Sequence, residues 1–280
     1  MWSFLKKRRR ERLRAQPLPP GFEQILLDNV PVYRRLPDDL RAQLHGHMQV
    51  FLAEKHFEGC NGLEITDEVR ATIAGEACLL LLNRETNYYP DLVTILVYPT
   101  IFYADVEDHE GHIVSEYKED RSGESWELGV VILSWEDAVE HASTGRAGYN
   151  VVLHEFAHQL DMENGSMDGM PRLKTREERE AWRTAFTEAY ERFESGGSRR
   201  SVVDDYGAGD PAEFFAVVTE SFFERPLALR REQPALYDAL SRYYRVDPSS
   251  WEARTPAGQP SQAIARARRR RRGARPRRRS

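Results

Sequence analysis

Residues 151 to 161 read VVLHEFAHQLD, with histidines at 154 and 158 and a glutamate at 155. On an α-helix, residues four apart lie one above the other, so His154 and His158 project from one face and both imidazoles can reach a single ion. Glu155 sits one step around the helix, beside such an ion rather than on it. In that arrangement zinc lowers the pKa of a water toward roughly 7 and the carboxylate accepts its proton. The H-E-x-x-H pattern alone is moderately specific, so its surroundings decide. Val151, Val152, Leu153, Phe156, Ala157 and Leu160 make the helix largely apolar, and burying two histidines and a glutamate within it without a metal would be costly. A surface helix with solvated histidines fits that composition poorly.

A catalytic zinc takes three protein ligands and keeps its fourth position open, so a third ligand lies elsewhere. The extended form H-E-x-x-H-x-x-G-x-x-H is excluded, because position 161 is Asp and position 164 is Asn. Asp161 falls on nearly the same face as His154 and reads as a partner to an imidazole rather than as a ligand. Downstream, DDYGAGDPAEFFAVVTESFFERP spans residues 204 to 226. Asp210 reads as an N-cap, Pro211 as the first helical residue, and Glu213 as the third. Asp-x-x-Glu is also nearly a capping box, in which Glu213 would only tie off the helix start. The rest of this helix is apolar and has little structural need of Glu213 and Glu220 on one face, so one or both are read as pointing at the zinc helix.

The elements that must position these groups follow from periodicity. Helical spacing runs through LPDDLRAQLHGHMQVFLAEK at 36 to 55 and, after a Thr/Asp start, through ITDEVRATIAGEACLLLLNRE at 65 to 85. Strands are expected at LVTILVYP, IFYADVED, HIVSEYKE and ELGVVILSW, with EDHEGH as a hairpin-like turn. The segment GVVILSW either presents an edge to an extended peptide or lies inside the sheet. Helical periodicity returns at 147 to 162, 175 to 194, 210 to 224 and 227 to 245. Helices, a small mixed sheet, then helices make an α+β fold. His45 and His47 stand on alternate sides of a helix, and His109 and His112 sit in a turn where such residues are ordinarily solvated; none is assigned chemistry.

A chain of 280 residues with 40% hydrophobic content can bury a substantial core. It divides into a basic N-terminal arm at 1 to 20, one domain at 21 to 250, and an Arg-rich tail at 251 to 280 that has almost nothing to bury, and both basic ends are expected to be disordered. The formal charge of −5 becomes −21 once the +10 of residues 263 to 280 and the +6 of residues 1 to 15 are set aside. An acidic body argues against nucleic-acid binding on the domain, and leaves nonspecific polyanion contact to the tail. No apolar run approaches the roughly 20 residues of a membrane span. The N-terminus is apolar then basic, the reverse of an export signal. Two cysteines without metal-binding spacing fit a reducing, cytoplasmic setting.

HEFAHQLDMENG, followed further on by YGAGDPAEFFAVVTESFF, resembles the Mlc titration factor A family of bacterial zinc peptidases, over roughly residues 20 to 250. The resemblance implies a zincin-like metallopeptidase fold of gluzincin type, zinc as cofactor, aminopeptidase-type activity on peptides and, in some bacteria, binding to the glucose-regulating repressor Mlc. Carried onto this sequence, the family's zinc ligands are His154, His158 and Glu213, its catalytic glutamate is Glu155, and its active-site tyrosine is Tyr206. Tyr206 would then donate to the oxyanion; otherwise it is a tyrosine packed in a loop. The arginine tail departs from the family pattern. The competing reading is a regulatory protein that sequesters an Mlc-like repressor, with hydrolysis secondary and the zinc site vestigial or structural. Structural sites fill four positions with protein ligands, whereas three ligands beside a glutamate that is not a ligand leave one open, which favours an enzyme.

Overall fold

The computed structural model describes residues 2–100, 129–144, 149–194 and 210–251. Within them the chain is α+β, with eleven α-helices and three short strands. Four helices come first: α1 (Trp2–Arg14), α2 (Phe22–Asn29), α3 (Pro31–Arg35) and α4 (Asp38–Glu54). α1 corrects the expectation of a disordered N-terminal arm: it is a helix that Arg10 ties to Glu54 of α4. Of the four only α4 announces itself by periodicity. Its first turn carries Asp38 and Asp39, which complement the partial positive charge of a helix N-terminus. α5 (Asp67–Leu79) starts at Thr66, whose hydroxyl accepts a hydrogen bond from the amide of Val69. The helical pattern expected to run to residue 85 stops at Leu79, and turns follow. Ala71, Ala74 and Ala77 of α5 are fully buried, and such small side chains let α2 and α4 pack closely on it.

The sheet has the order β1-β2-β3, made by β1 (His56–Gly59), β2 (Thr94–Tyr98) and β3 (Val130–Ser134). Both described pairings are parallel, with Phe57 opposite Ile95 and Ile95 opposite Val131. A parallel pair needs a crossover, which α5 supplies between β1 and β2. The strand period of two buries Ile95, Val97, Val131 and Leu133 and leaves the alternate side chains half-exposed. The strands expected at 101 to 108 and 112 to 119, the turn between them, and the Arg-rich tail lie outside the described residues.

Six helices follow: α6 (Trp135–Thr144), α7 (Val151–Asp161), α8 (Arg176–Glu194), α9 (Pro211–Glu224), α10 (Pro226–Glu232) and α11 (Pro234–Tyr244). The single helix expected at 227 to 245 is two, because Pro234 has no amide hydrogen to continue the ladder and instead opens α11. α9 is apolar almost all round. Phe214, Phe215, Val217, Val218, Phe222 and Phe223 are each at most 2% exposed, and Phe215 meets Trp182 of α8 edge-on while Phe222 packs on Tyr237 of α11. Each such side chain contributes roughly 1.5–3 kcal/mol of burial, enough together to carry Glu213 and Glu220 inward with the helix. α7 packs against α9. Its Phe156 is fully buried between Phe51 and Tyr89, which anchors one side of α7 and leaves the histidine side to face α9.

Candidate metal centre

α7 begins where Asn150 caps it: the side-chain oxygen accepts from the amide of Leu153 at 3.0 Å, so the helix starts at 151 rather than 147. α9 begins in the same way, with Asp210 accepting from the amides of Ala212 at 2.7 Å and Glu213 at 3.0 Å. Asp210 therefore caps as read from the sequence. The side chain of Glu213 turns the other way, toward α7. One of its oxygens lies 3.2 Å from Nε2 of His154 and the other 3.2 Å from Nε2 of His158. The two Nε2 atoms are themselves 3.2 Å apart. Among the described residues these three side chains form the group whose ligand atoms gather within 4.8 Å of one another.

Glu220, the second glutamate of α9, reaches the far side of the same imidazole. Its Oε1 accepts from Nδ1 of His154 at 2.8 Å, and its Oε2 accepts from the backbone amide of Asn150. Nδ1 thus carries the hydrogen, and Nε2 keeps a lone pair directed at Glu213 and His158. With His154 neutral, two Nε2 nitrogens and two carboxylate oxygens then face one another, and only a proton or a cation among them offsets their repulsion. A cation resolves that arrangement, and the spacing suits one. Ligand atoms about 2.0–2.1 Å from a tetrahedral zinc stand about 3.3–3.4 Å apart, close to the three 3.2 Å separations seen here. The donor set fits the metal.

The electrostatics agree. Burial opposes charge on His154, but its hydrogen bonds to Glu213 and Glu220 outweigh that and hold its pKa well above the ordinary imidazole value. Burial, reinforced by the charge on His154, lowers His158 despite the pull of Glu213. Burial raises Glu213, but the two histidines overcome this and keep it far below the usual carboxylate range. The metal-free site thus holds its protons on nitrogen, and a bound cation would displace them.

Glu155 is buried beside this cluster, at 6% exposure, and its charge contributes to raising His154. Asp161 is not a partner to either imidazole. It is fully buried, and its Oδ2 accepts from the amide of Gly169 at 2.7 Å. The reason lies in the loop after α7, which must be tied back: the carbonyl of Gly169 accepts from the indole of Trp182 at 3.0 Å, and Gly169 has φ +73° and lies so close to α9 that a Cβ would fall 2.3 Å from the carbonyl oxygen of Pro211. Asp161 and Gly169 thereby set where α9, and Glu213 two residues on, begins. His45 and His47 have separate partners, Tyr33 and Tyr88, in keeping with the absence of assigned chemistry. Tyr206, His109 and His112 lie outside the described residues.

Sequence reasoning missed the network behind the site. The side-chain amide of Asn150 donates to Glu76 of α5 at 3.0 Å and to Glu224 of α9 at 3.3 Å, so one residue caps α7 and ties it to both neighbouring helices. Glu76 carried a signal, as a single acid inside the apolar run IAGEACLLLL, where a charge needs a buried partner.

Comparison with known proteins bears on this geometry. A profile of the glucose-regulated metallo-peptidase M90 family matches residues 4–245. An uncharacterized protein of Synechocystis is 42% identical over 244 residues, 86% of this chain and 89% of its own. Mlc titration factor A of Salmonella agona is 31% identical over 226 residues, 79% of this chain and 84% of that protein; that of Klebsiella pneumoniae is 32% identical over 225 residues, 78% and 84%. A family of metallo-peptidases implies a bound metal, and the resemblance drawn from the two motifs agrees with these matches. The chain belongs to the glucose-regulated metallo-peptidase M90 family.

Proposed function

We propose that the chain is a zinc-dependent peptidase of aminopeptidase type on a zincin-like fold, in which His154, His158 and Glu213 hold the ion and Glu155 is the general base. The observation that carries the proposal is the triangle of 3.2 Å separations among His154, His158 and Glu213, with Glu155 buried beside it. Zinc bound there supplies polarisation of the scissile carbonyl and acidification of a water. Glu155 accepts the water proton and later delivers it to the leaving amine. Glu220 fixes His154 in the tautomer that presents Nε2 to the ion. Tyr206, by its place in the family motif, donates a hydrogen bond to the oxygen that becomes negative. The aminopeptidase assignment rests on the family resemblance.

A second reading draws on the printed name of the relatives, Mlc titration factor A: the chain binds an Mlc-like repressor, with hydrolysis secondary. Three protein ligands beside a glutamate that is not itself a ligand support the catalytic reading. No helix among the described residues is long and apolar enough to cross a membrane, and both cysteines are free thiols, as suits a protein working in the cytoplasm. Digestion of a peptide mixture by zinc-loaded protein, read by mass spectrometry, tests the proposal. The expected products are shortened one residue at a time from the amino end and vanish with a chelator. Internal cuts would remove the aminopeptidase assignment, and a fully loaded protein that cleaves nothing yet captures an Mlc-like repressor would establish the second reading instead.

A further inference from the structure

We infer that α1 and the ridge beside it form a preformed docking surface for an anionic lipid bilayer. α1 carries Lys6, Lys7, Arg8, Arg9, Arg10, Arg12 and Arg14 against a single acid, Glu11. All of the bases but Arg10 are exposed. At the free end of the helix Phe4 is 62% and Leu5 56% exposed, and Val93, just before β2, is 61% exposed. Leu5 and Val93 line one cleft of about 550 Å³ together with Lys6, Arg9 and Lys55. Most large apolar side chains of the described residues are buried, so three exposed ones gathered around a basic helix mark a surface built for contact.

The helix is held in place rather than left as a loose arm. The Arg10 guanidinium donates to both oxygens of Glu54, at 2.9 and 2.7 Å, and to the side chain and backbone of Asn87, and it lies 4.7 Å from the centre of the Tyr88 ring. Its C-terminal end lies against α4, where a Cβ at Gly46 would fall 3.2 Å from the carbonyl oxygen of Arg14. An ordered surface loses little entropy when it binds.

The chemistry selects the occupant. A second copy would set one +6 helix against another. A nucleic acid would satisfy the cations but has no use for aliphatic Leu5 and Val93. An anionic bilayer satisfies both: acidic headgroups pair with lysine and arginine, while Phe4, Leu5 and Val93 enter the boundary between headgroups and acyl chains. With 13 residues α1 is about 20 Å long and lies in the plane of that boundary, so the attachment is peripheral. It uses none of the residues of the metal centre.

Co-sedimentation of the full chain with vesicles tests this. Wild type should bind vesicles of phosphatidylcholine and phosphatidylglycerol in equal parts and should not bind pure phosphatidylcholine. Leu5→Ser/Val93→Ser keeps every cation, including the tail arginines, and should lower the partition coefficient about tenfold. Lys6→Glu/Lys7→Glu should lower it at least as much and flatten its dependence on salt. All four positions are exposed, so melting curves should match wild type. Unchanged partition in Leu5→Ser/Val93→Ser would overturn the inference, since the Arg-rich tail alone would then explain binding. So would tighter binding to a DNA duplex than to anionic vesicles, or no sedimentation of wild type with either vesicle.

Discussion

Replacing Glu220 by Gln leaves the shape of α9 intact but removes one of two acceptors that the centre requires. Glu220 is 2% exposed, and its two oxygens take the Nδ1 hydrogen of His154, at 2.8 Å, and the amide hydrogen of Asn150. A glutamine offers one carbonyl oxygen to those two donors. If the oxygen stays with Asn150, the new NH₂ faces Nδ1, and the imidazole must move its hydrogen to Nε2, the nitrogen 3.2 Å from both His158 and Glu213. The lone pair aimed at the ion is then lost. If the oxygen stays with His154, the amide at the start of α7 is left buried against an NH₂ group. Either outcome forfeits one charge-assisted or buried hydrogen bond, about 1.5–3 kcal/mol, which is roughly 10- to 150-fold in ion affinity. On the proposed coordination Glu213→Gln removes a ligand atom and should cost more. Zinc titrations against a chromophoric chelator, run on wild type and both variants, measure the order. A Glu220→Gln protein with wild-type affinity, or one weaker than Glu213→Gln, would refute the claim that Glu220 sets the tautomer of a ligand.

Gly169→Ala should lower the melting temperature and weaken zinc retention together, because the methyl would lie 2.3 Å from the Pro211 carbonyl oxygen in a left-handed backbone that alone costs about 1–2 kcal/mol; zinc affinity unchanged in a folded variant would uncouple the loop from Glu213. Asp161 offers a pH test. Burial raises it to about 7, so the folded protein keeps a proton that the unfolded chain releases near its ordinary value. Stability should therefore fall as pH rises through that window, by up to about 4 kcal/mol, and level off above it. In metal-free protein Asp161→Asn, which retains an oxygen for Gly169, should flatten the fall, and urea midpoints at pH 5 and pH 8 check this; equal slopes in both proteins would assign the titration to another group.

How far these features could be read in the sequence depends on how local they are. His154, Glu155 and His158 are fixed relative to one another by one helix, so their spacing is sufficient. Glu213 stands on a different helix, and an apolar helix with two acids on one face left it open whether 213, 220 or both faced inward; the structure gives them opposite sides of the same imidazole. Asp161 shows the limit of face-counting: it lies on the histidine side of α7, yet its side chain serves the loop that follows. Asn150 joins Glu76 and Glu224 across 74 residues in each direction, a relation no local pattern encodes. Among the elements, α4 and the start of α5 were readable from caps and period. α2 and α3 are too short to show a period, and Pro234, which splits the last expected helix, is a signal that periodicity alone overrides.

The central claim is that a buried carboxylate beside a metal-binding triangle acts as a base in peptide hydrolysis. The rate of peptide cleavage by zinc-loaded Glu155→Gln protein, set against wild type at matched metal content, addresses it most directly. The expected result is about one zinc per chain in both proteins and a loss of cleavage on the order of 10²-fold or more in the variant. Cleavage at the wild-type rate with glutamine at position 155 would contradict it.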